Sequence, residues 1–346
     1  MKKQRNVNID LIKLVAVFSV ISVHFFAYTG FYEQEITNIS NYVMILFRTL
    51  FMICVPLFMI TTGYLMNNKK LNKKYYLGII RVLITYLLAS LIYLSYQCIY
   101  LKEGEFTIRH IISSILNFDI GYSWYIEMYL GMYLIIPFLN LVYNNLENRK
   151  QKNQLLITMF ITTALQGIIN IKYNLIPDWW INIFPVTYYF IGCYIKEYKP
   201  NIKKKTNIIY ILLTLIISVA INIYLSNNTI FNRGIHNDWG SILNVLLSIF
   251  IFIFIINLDL KKLNNKIKRI IVKLSELSLA IYLSSSVIDN FIYYHFLKEY
   301  TKCSIKGYIT LIPLIFILST SLSMIMNYIY YLLNKYIIKK LIKNNL

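Results

Sequence analysis

What this chain lacks narrows it first. Charged residues make up only 14% of its 346 positions, and the charge is one-sided, with 15 Asp and Glu against 35 Lys and Arg. A soluble domain needs a charged face wherever it meets water, so that scarcity, beside 58% hydrophobic residues and a mean hydropathy of +0.55, excludes an ordinary soluble fold. Cysteine is scarce too. Its four copies, Cys54, Cys98, Cys193 and Cys303, form no C-x-x-C pair, and three lie in apolar runs, which argues against a disulfide framework or a metal site. Nor is there a cleavable signal pattern: the first apolar segment is too long for one and lacks a small-residue cleavage site. The net charge of +20 would suit nucleic acid, but the cations sit in short segments between apolar runs. That placement is a membrane-topology signal, and no nucleic-acid partner is expected.

What is present is a series of apolar runs. Crossing a bilayer takes about 20 mostly apolar residues per helix. By that measure the chain is an all-α, polytopic membrane bundle with ten spans, at 10–31, 42–66, 76–101, 122–144, 154–171, 179–196, 206–226, 240–258, 270–294 and 307–336. If the N-terminus is cytoplasmic, the cytoplasmic segments collect 25 of the 35 Lys and Arg residues and the outer segments 7. This asymmetry predicts an even helix count, with both termini cytoplasmic. No loop could hold a second domain, so 1–346 reads as one integral membrane unit whose chemistry is done inside the bundle. A short amphipathic piece at 106–118 is expected along the outer surface.

Ionisable side chains inside spans cost several kcal/mol, so each one is either functional or half of a buried pair. The first span has the sharpest pattern. Asp10 and Lys13 stand near its start, and His24 follows Lys13 by eleven residues. Eleven residues are three helical turns plus about 20°, so Lys13 and His24 share a face and stand roughly 16 Å apart along the axis. One helix face could thus touch both the membrane surface and its interior. Arg48, Glu127 and Asp289 are expected in the outer half with His24. Each also has a bland reading. His24 could be a packing donor, Arg48 and Glu127 a salt bridge, Asp289 a solvated helix-end residue, Asp10 and Lys13 an i,i+3 pair, and Arg81 a cation snorkelling to lipid phosphates.

In order along the chain, the motifs resemble the acyltransferase-3 family of integral membrane acyltransferases. Asp10, Lys13 and His24 are similar to the family's acid, basic residue, ten-residue spacer and histidine. V-P-L-F-M-I-T-T-G-Y-L at 55–65, Arg81 in I-I-R-V-L-I-T-Y, and S-W-Y-I-E-M-Y-L-G-M-Y-L-I-I-P-F-L-N at 123–140 continue the likeness. Y-Y-F-I-G-C-Y-I at 188–195 and L-S-L-A-I-Y-L at 277–283 complete it. The chain departs where Lys13 replaces the usual Arg, where Ser123 stands in place of a His before Trp124, and where Ser284 and Ser285 follow Tyr282 and Leu283 in place of another His.

The resemblance implies acyl transfer in a bacterial cytoplasmic membrane, from a cytoplasmic acyl-CoA, acetyl-CoA by preference, to a hydroxyl of a cell-envelope glycan outside. It implies Lys13, Arg81, Asp10 and Arg5 at the donor, and His24 as base or acyl carrier, with Arg48 and Glu127 positioning the acceptor or the ring. Two other readings compete: a transporter or flippase using the same polar cluster, and a lipid-packed structural partner in an export complex. The outer loops 33–41, 102–121, 172–178, 227–239 and 295–306 offer only aromatic residues such as Trp179, Trp180 and Trp239 toward an acceptor.

Overall fold

A computed structural model describes residues 5–170, 173–296 and 303–338; the predicted loops at 172–178 and 295–306 lie partly outside these, as do Lys2 and Lys3. Among the described residues there are helices and no β-strand. In chain order the α-helices are α1 (Val7–Tyr28), α2 (Ile39–Phe51), α3 (Cys54–Met66), α4 (Lys73–Leu77), α5 (Ile80–Ser95), α6 (Ile108–Leu116) and α7 (Trp124–Asn144). There follow α8 (Arg149–Thr163), α9 (Gln166–Ile169), α10 (Phe184–Tyr198), α11 (Lys204–Ser226), α12 (Ile242–Ile256), α13 (Asn265–Glu276), α14 (Ser278–Phe296) and α15 (Ile305–Leu333).

Six segments are long and apolar enough to cross a membrane: Val7–Tyr28, Ile39–Met66, Lys73–Tyr100, Trp124–Asn144, Lys204–Ser226 and Ile305–Tyr336. Each falls on a predicted span. Three other predicted spans become the 15-residue helices α8, α10 and α12. At about 1.5 Å per residue these are roughly 22 Å long, short of a hydrocarbon core of about 30 Å. The reason is local. Helix α8 opens on the polar run R-K-Q-K-N-Q, capped by Asn148, and a 3-10 turn at Asp178–Ile183 takes the start of the span that became α10. The ninth expected span, 270–294, is not one straight helix: it breaks after Glu276 with a bend of 68° between α13 and α14. Lysines and Arg269 crowd α13, which buries only Ile271 and Ser275, so it lies against the bundle by one narrow face.

Helix α1 is the axle of the bundle. It packs on α2, α3, α12, α13, α14 and α15, and eleven of its 22 residues are buried. The tightest pairing joins α3 to α10. A Cβ on Gly63 would meet the Tyr189 carbonyl oxygen at 2.0 Å, and one on Gly192 would meet that of Ile60 at 2.1 Å. The glycines of T-T-G-Y and F-I-G-C are therefore there to let two backbones touch, as small residues do between membrane helices. Asn140, at the end of the 123–140 segment, donates to the Met66 and Lys69 carbonyls at 2.8 Å each and accepts from Tyr189 at 2.6 Å. It thereby ties the turn after α3 to α7 and α10. Helix α6 buries none of its residues and exposes Ile108 and Leu116, as an interfacial helix would.

Candidate functional site

Two cavities lie at opposite ends of the Lys13–His24 face of α1. The larger, about 1510 Å³, opens at the end of the bundle where α1 begins. Six cations line it: Arg5, Lys13, Lys69, Arg81, Lys196 and Lys273. Only two acids do, Asp10 and Glu276, and both are engaged by Arg5. Asp10 is buried and takes a bidentate bond from Arg5, Nε to Oδ2 at 2.7 Å and a terminal nitrogen to Oδ1 at 2.8 Å. Ser275 adds a third bond to Oδ1 at 2.7 Å. Bonded to Asp10 and then Glu276, the Arg5 guanidinium is held above its ordinary pKa. Asp10 thus ties the start of α1 to α13 and keeps Arg5 at the rim, while Lys13 and Arg81 face the cavity without an ion-pair partner among the described residues. The Arg81 guanidinium also rests over the Tyr330 ring at 5.5 Å.

The second cavity, about 280 Å³, surrounds His24. Its walls are mainly aromatic: Tyr32, Phe58, Tyr122, Trp124, Tyr125, Trp239 and Tyr282. Trp124 and Trp239 stack with centroids 4.7 Å apart, and the Tyr188 hydroxyl holds the Trp239 carbonyl at 2.6 Å. The loop that carries Tyr32 and the loop between α11 and α12 grip one another, through Ile36 N–H to the Thr229 carbonyl at 2.9 Å and Asn228 N–H to the Ile36 carbonyl at 3.0 Å. Arg233 lies over the Tyr32 ring at 3.9 Å and meets Glu33 at 3.8 Å.

His24 has a neighbourhood that its sequence context does not announce. Its Nδ1 stands 3.5 Å from Oδ2 of Asp289, whose side chain is fully buried. Tyr122 donates to the same Oδ2 at 2.6 Å and lays its ring on the imidazole with centroids 3.6 Å apart. Asp289 is therefore no solvated helix-end residue. A feature of α14 could have found it: Ser278, Tyr282, Ser285 and Asp289 recur at helical spacing on one stripe, toward α1. Tyr122 lies in a turn whose spacing carries no such signal.

The outer-half residues expected beside His24 fare differently. Arg48 is buried, with Nε 3.3 Å from the Tyr32 hydroxyl, a terminal nitrogen 3.4 Å from Oδ1 of Asn237, and its guanidinium 4.6 Å from the Phe231 ring centre. It reaches the chamber only through Tyr32, and no carboxylate pairs with it among the described residues. Nearby, burial and then the charge of Arg48 push the His236 imidazole below its ordinary value. Glu127 is exposed and lines neither cavity. It follows Tyr125 by two residues, a turn of about 200°, which points it away from the chamber that Tyr125 faces. Among the described residues no group of His, Cys, Asp and Glu could hold a metal.

An apolar helical bundle, with a cationic cavity and a half-buried, cavity-lining histidine toward the two ends of one helix, defines a multi-pass membrane protein with a built internal site. The Acyl_transf_3 family profile, described as an acyltransferase domain, matches residues 6–328, and the chain belongs to that family. It is a membrane acyltransferase. No curated protein and no solved structure matches it.

Proposed function

We propose that this protein is an O-acyltransferase that carries a short acyl group, acetyl in the first instance, from cytoplasmic acyl-CoA to a hydroxyl of an extracytoplasmic cell-envelope glycan. The observation that carries the reading is the pair of cavities on one face of α1. A cation-lined basin at Lys13 suits the phosphates of CoA, since Coulomb attraction and charge-assisted bonds both favour them there. The aromatic chamber at His24 suits a sugar, whose C–H faces pack on flat rings while its hydroxyls find few competing donors. The intervening rise of roughly 16 Å is a span that the thin pantetheine arm can follow.

In this reading the basic rim and both termini face the cytoplasm, in line with the 25 to 7 division of cations. With α8, α10, α12 and α14 added to the six long spans, the chain crosses ten times in the cytoplasmic membrane of a bacterium. Lys13 and Arg81 meet the donor phosphates, with Arg5 at the rim. His24 takes the proton of the acceptor hydroxyl as the oxygen attacks the thioester carbonyl. The new C–O bond forms, the C–S bond breaks, and the imidazolium returns its proton to the leaving thiolate. Arg48 supports the acceptor end of the chamber through Tyr32. Glu127, on the outward face of α7, has no part in these steps.

The test uses radiolabelled acetyl-CoA and membranes carrying the protein with their own glycan. His24→Ala is expected to insert and fold normally while label transfer to glycan disappears. Full transfer by that variant would contradict the reading, as would a wild-type protein that moves substrate without releasing free CoA.

A further inference from the structure

The geometry points to Asp289 and Tyr122 as positioning residues that fix the His24 ring and choose its tautomer, an inference that rests on His24 acting as the base. Three observations converge. The Asp289 side chain has no solvent exposure and lies 3.5 Å from Nδ1 of His24. Among the described residues it pairs with no lysine or arginine, and its Oδ1 has no hydrogen-bond partner. Tyr122 bonds the same carboxylate at 2.6 Å and covers the imidazole.

An ionised carboxylate can only accept hydrogen bonds. Tyr122 must then donate to Oδ2, as the geometry has it, and a neutral His24 must also present a proton there. That proton sits on Nδ1. The bare nitrogen is Nε2, on the opposite edge of a ring that keeps 17% side-chain exposure and lines the chamber. A base needs its lone pair where the substrate proton arrives, so the tautomer chosen by Asp289 is the productive one. The carboxylate also faces the imidazolium once the proton is taken, which a neutral isostere would not stabilise. At 3.5 Å the hydrogen bond is not yet formed, and His24 Nδ1, like Asp289 Oδ1, has no hydrogen-bond partner among the described residues, an open pair of the kind that closes when substrate binds.

The loop that carries Tyr122 is built for this placement. Gly121 has φ +55°, and a Cβ there would meet Oγ of Ser286 at 2.7 Å and its Cβ at 2.9 Å, so the loop lies directly on α14 three residues from Asp289. The Tyr282 hydroxyl donates to the Tyr122 carbonyl and fixes it from the same helix.

The experiment combines imidazole nitrogen NMR with acetyl transfer, on full-length protein in lipid nanodiscs and in membranes respectively, with His24→Ala assigning the His24 signals. Wild-type His24 is expected to carry its proton on Nδ1. Asp289→Asn should shift the proton toward Nε2 and lower transfer by about 100-fold or more, the usual scale of general-base catalysis. Half-saturation by acetyl-CoA should stay within about threefold, because the donor cavity lies at the other end of α1, well beyond the separation at which sites couple. Tyr122→Phe keeps the ring and removes one bond, and should cost a smaller loss, roughly tenfold for one hydrogen bond to a charged group. Should Asp289→Asn fail to insert, this second variant decides: reduced transfer with a shifted tautomer supports the assignment, and wild-type transfer overturns it. An Nε2–H tautomer in the wild type, or full transfer by Asp289→Asn, also overturns it. If His24→Ala itself transfers normally the proposed reaction fails, whereas an inactive His24→Ala beside a fully active Asp289→Asn removes only the positioning role.

Discussion

His24 and Lys13 differ in what surrounds them, and the difference separates their expected phenotypes. Lys13 belongs to a basin with five other cations, so replacing it weakens one of several attractions to an anion. Lys13→Gln should raise half-saturation by acetyl-CoA by roughly tenfold, the scale of one charge-assisted hydrogen bond, and leave the maximal rate nearly unchanged. Lys13→Arg restores the fork that grips phosphate bidentately and should bind at least as tightly as the native residue. Both are checked by titrating acetyl-CoA against label transfer. Glu127→Gln, on the outward face of α7, should change transfer by less than twofold, within the small effects usual for surface sites. That Lys13 and His24 share a face was legible from spacing alone, because 3.6 residues per turn fixes which side chains do. Asp289 was visible as an acid in the outer half with His24, but not as the residue beside its ring. Whether such an acid faces lipid, water or protein depends on which helix packs against it, and that is a tertiary fact.

At the level of helices, the six long spans could be read because each is apolar throughout its length. Where α8 and the α13–α14 pair depart from the straight spans expected of them, the departures share a cause. Hydropathy averages over a window and does not register a local stop, such as the polar start of α8 or the S-E-L-S turn between α13 and α14. Uniform apolarity also hides rotational phase, since a span that is hydrophobic all round gives no sign of which side meets the core. That is why Glu127 was expected inside and stands outside. The packing glycines make the sharpest prediction here. Gly192→Val sets side-chain carbons where the Ile60 carbonyl lies, so α3 and α10 must part, and α3 carries Cys54, Val55 and Phe58 of the His24 chamber. Protein yield or thermal stability in detergent should fall clearly, by several °C or more, as expected for severe overpacking. Gly121→Ala should act locally instead. It is strained at positive φ and collides with Ser286, so transfer should drop while CoA-dependent thermal stabilisation persists.

Taken whole, the molecule is a bundle organised around one helix that touches a cationic basin at one end and an aromatic chamber at the other. Both cavities are built from residues distant in sequence: α1, α3, α5, α10, α13, α14 and α15 around the basin, and α1, α3, α7, α14 with Tyr32, Tyr122 and Trp239 from the connecting segments around the chamber. Charge counting could suggest which end faces which compartment, but only assembly of the bundle places Lys13 at the basin and His24 at the chamber. The proposed reaction therefore requires transfer between compartments. Proteoliposomes offer the measurement: acetyl-CoA is supplied only on the side of the basic rim, glycan acceptor only on the other, with orientation scored by cysteines introduced into the 33–41 and 69–74 loops. Acetylated glycan should appear with the donor at the basic rim, and vanish in His24→Ala vesicles. Acetylation only when donor and acceptor share one compartment, or equal product from His24→Ala, would contradict it.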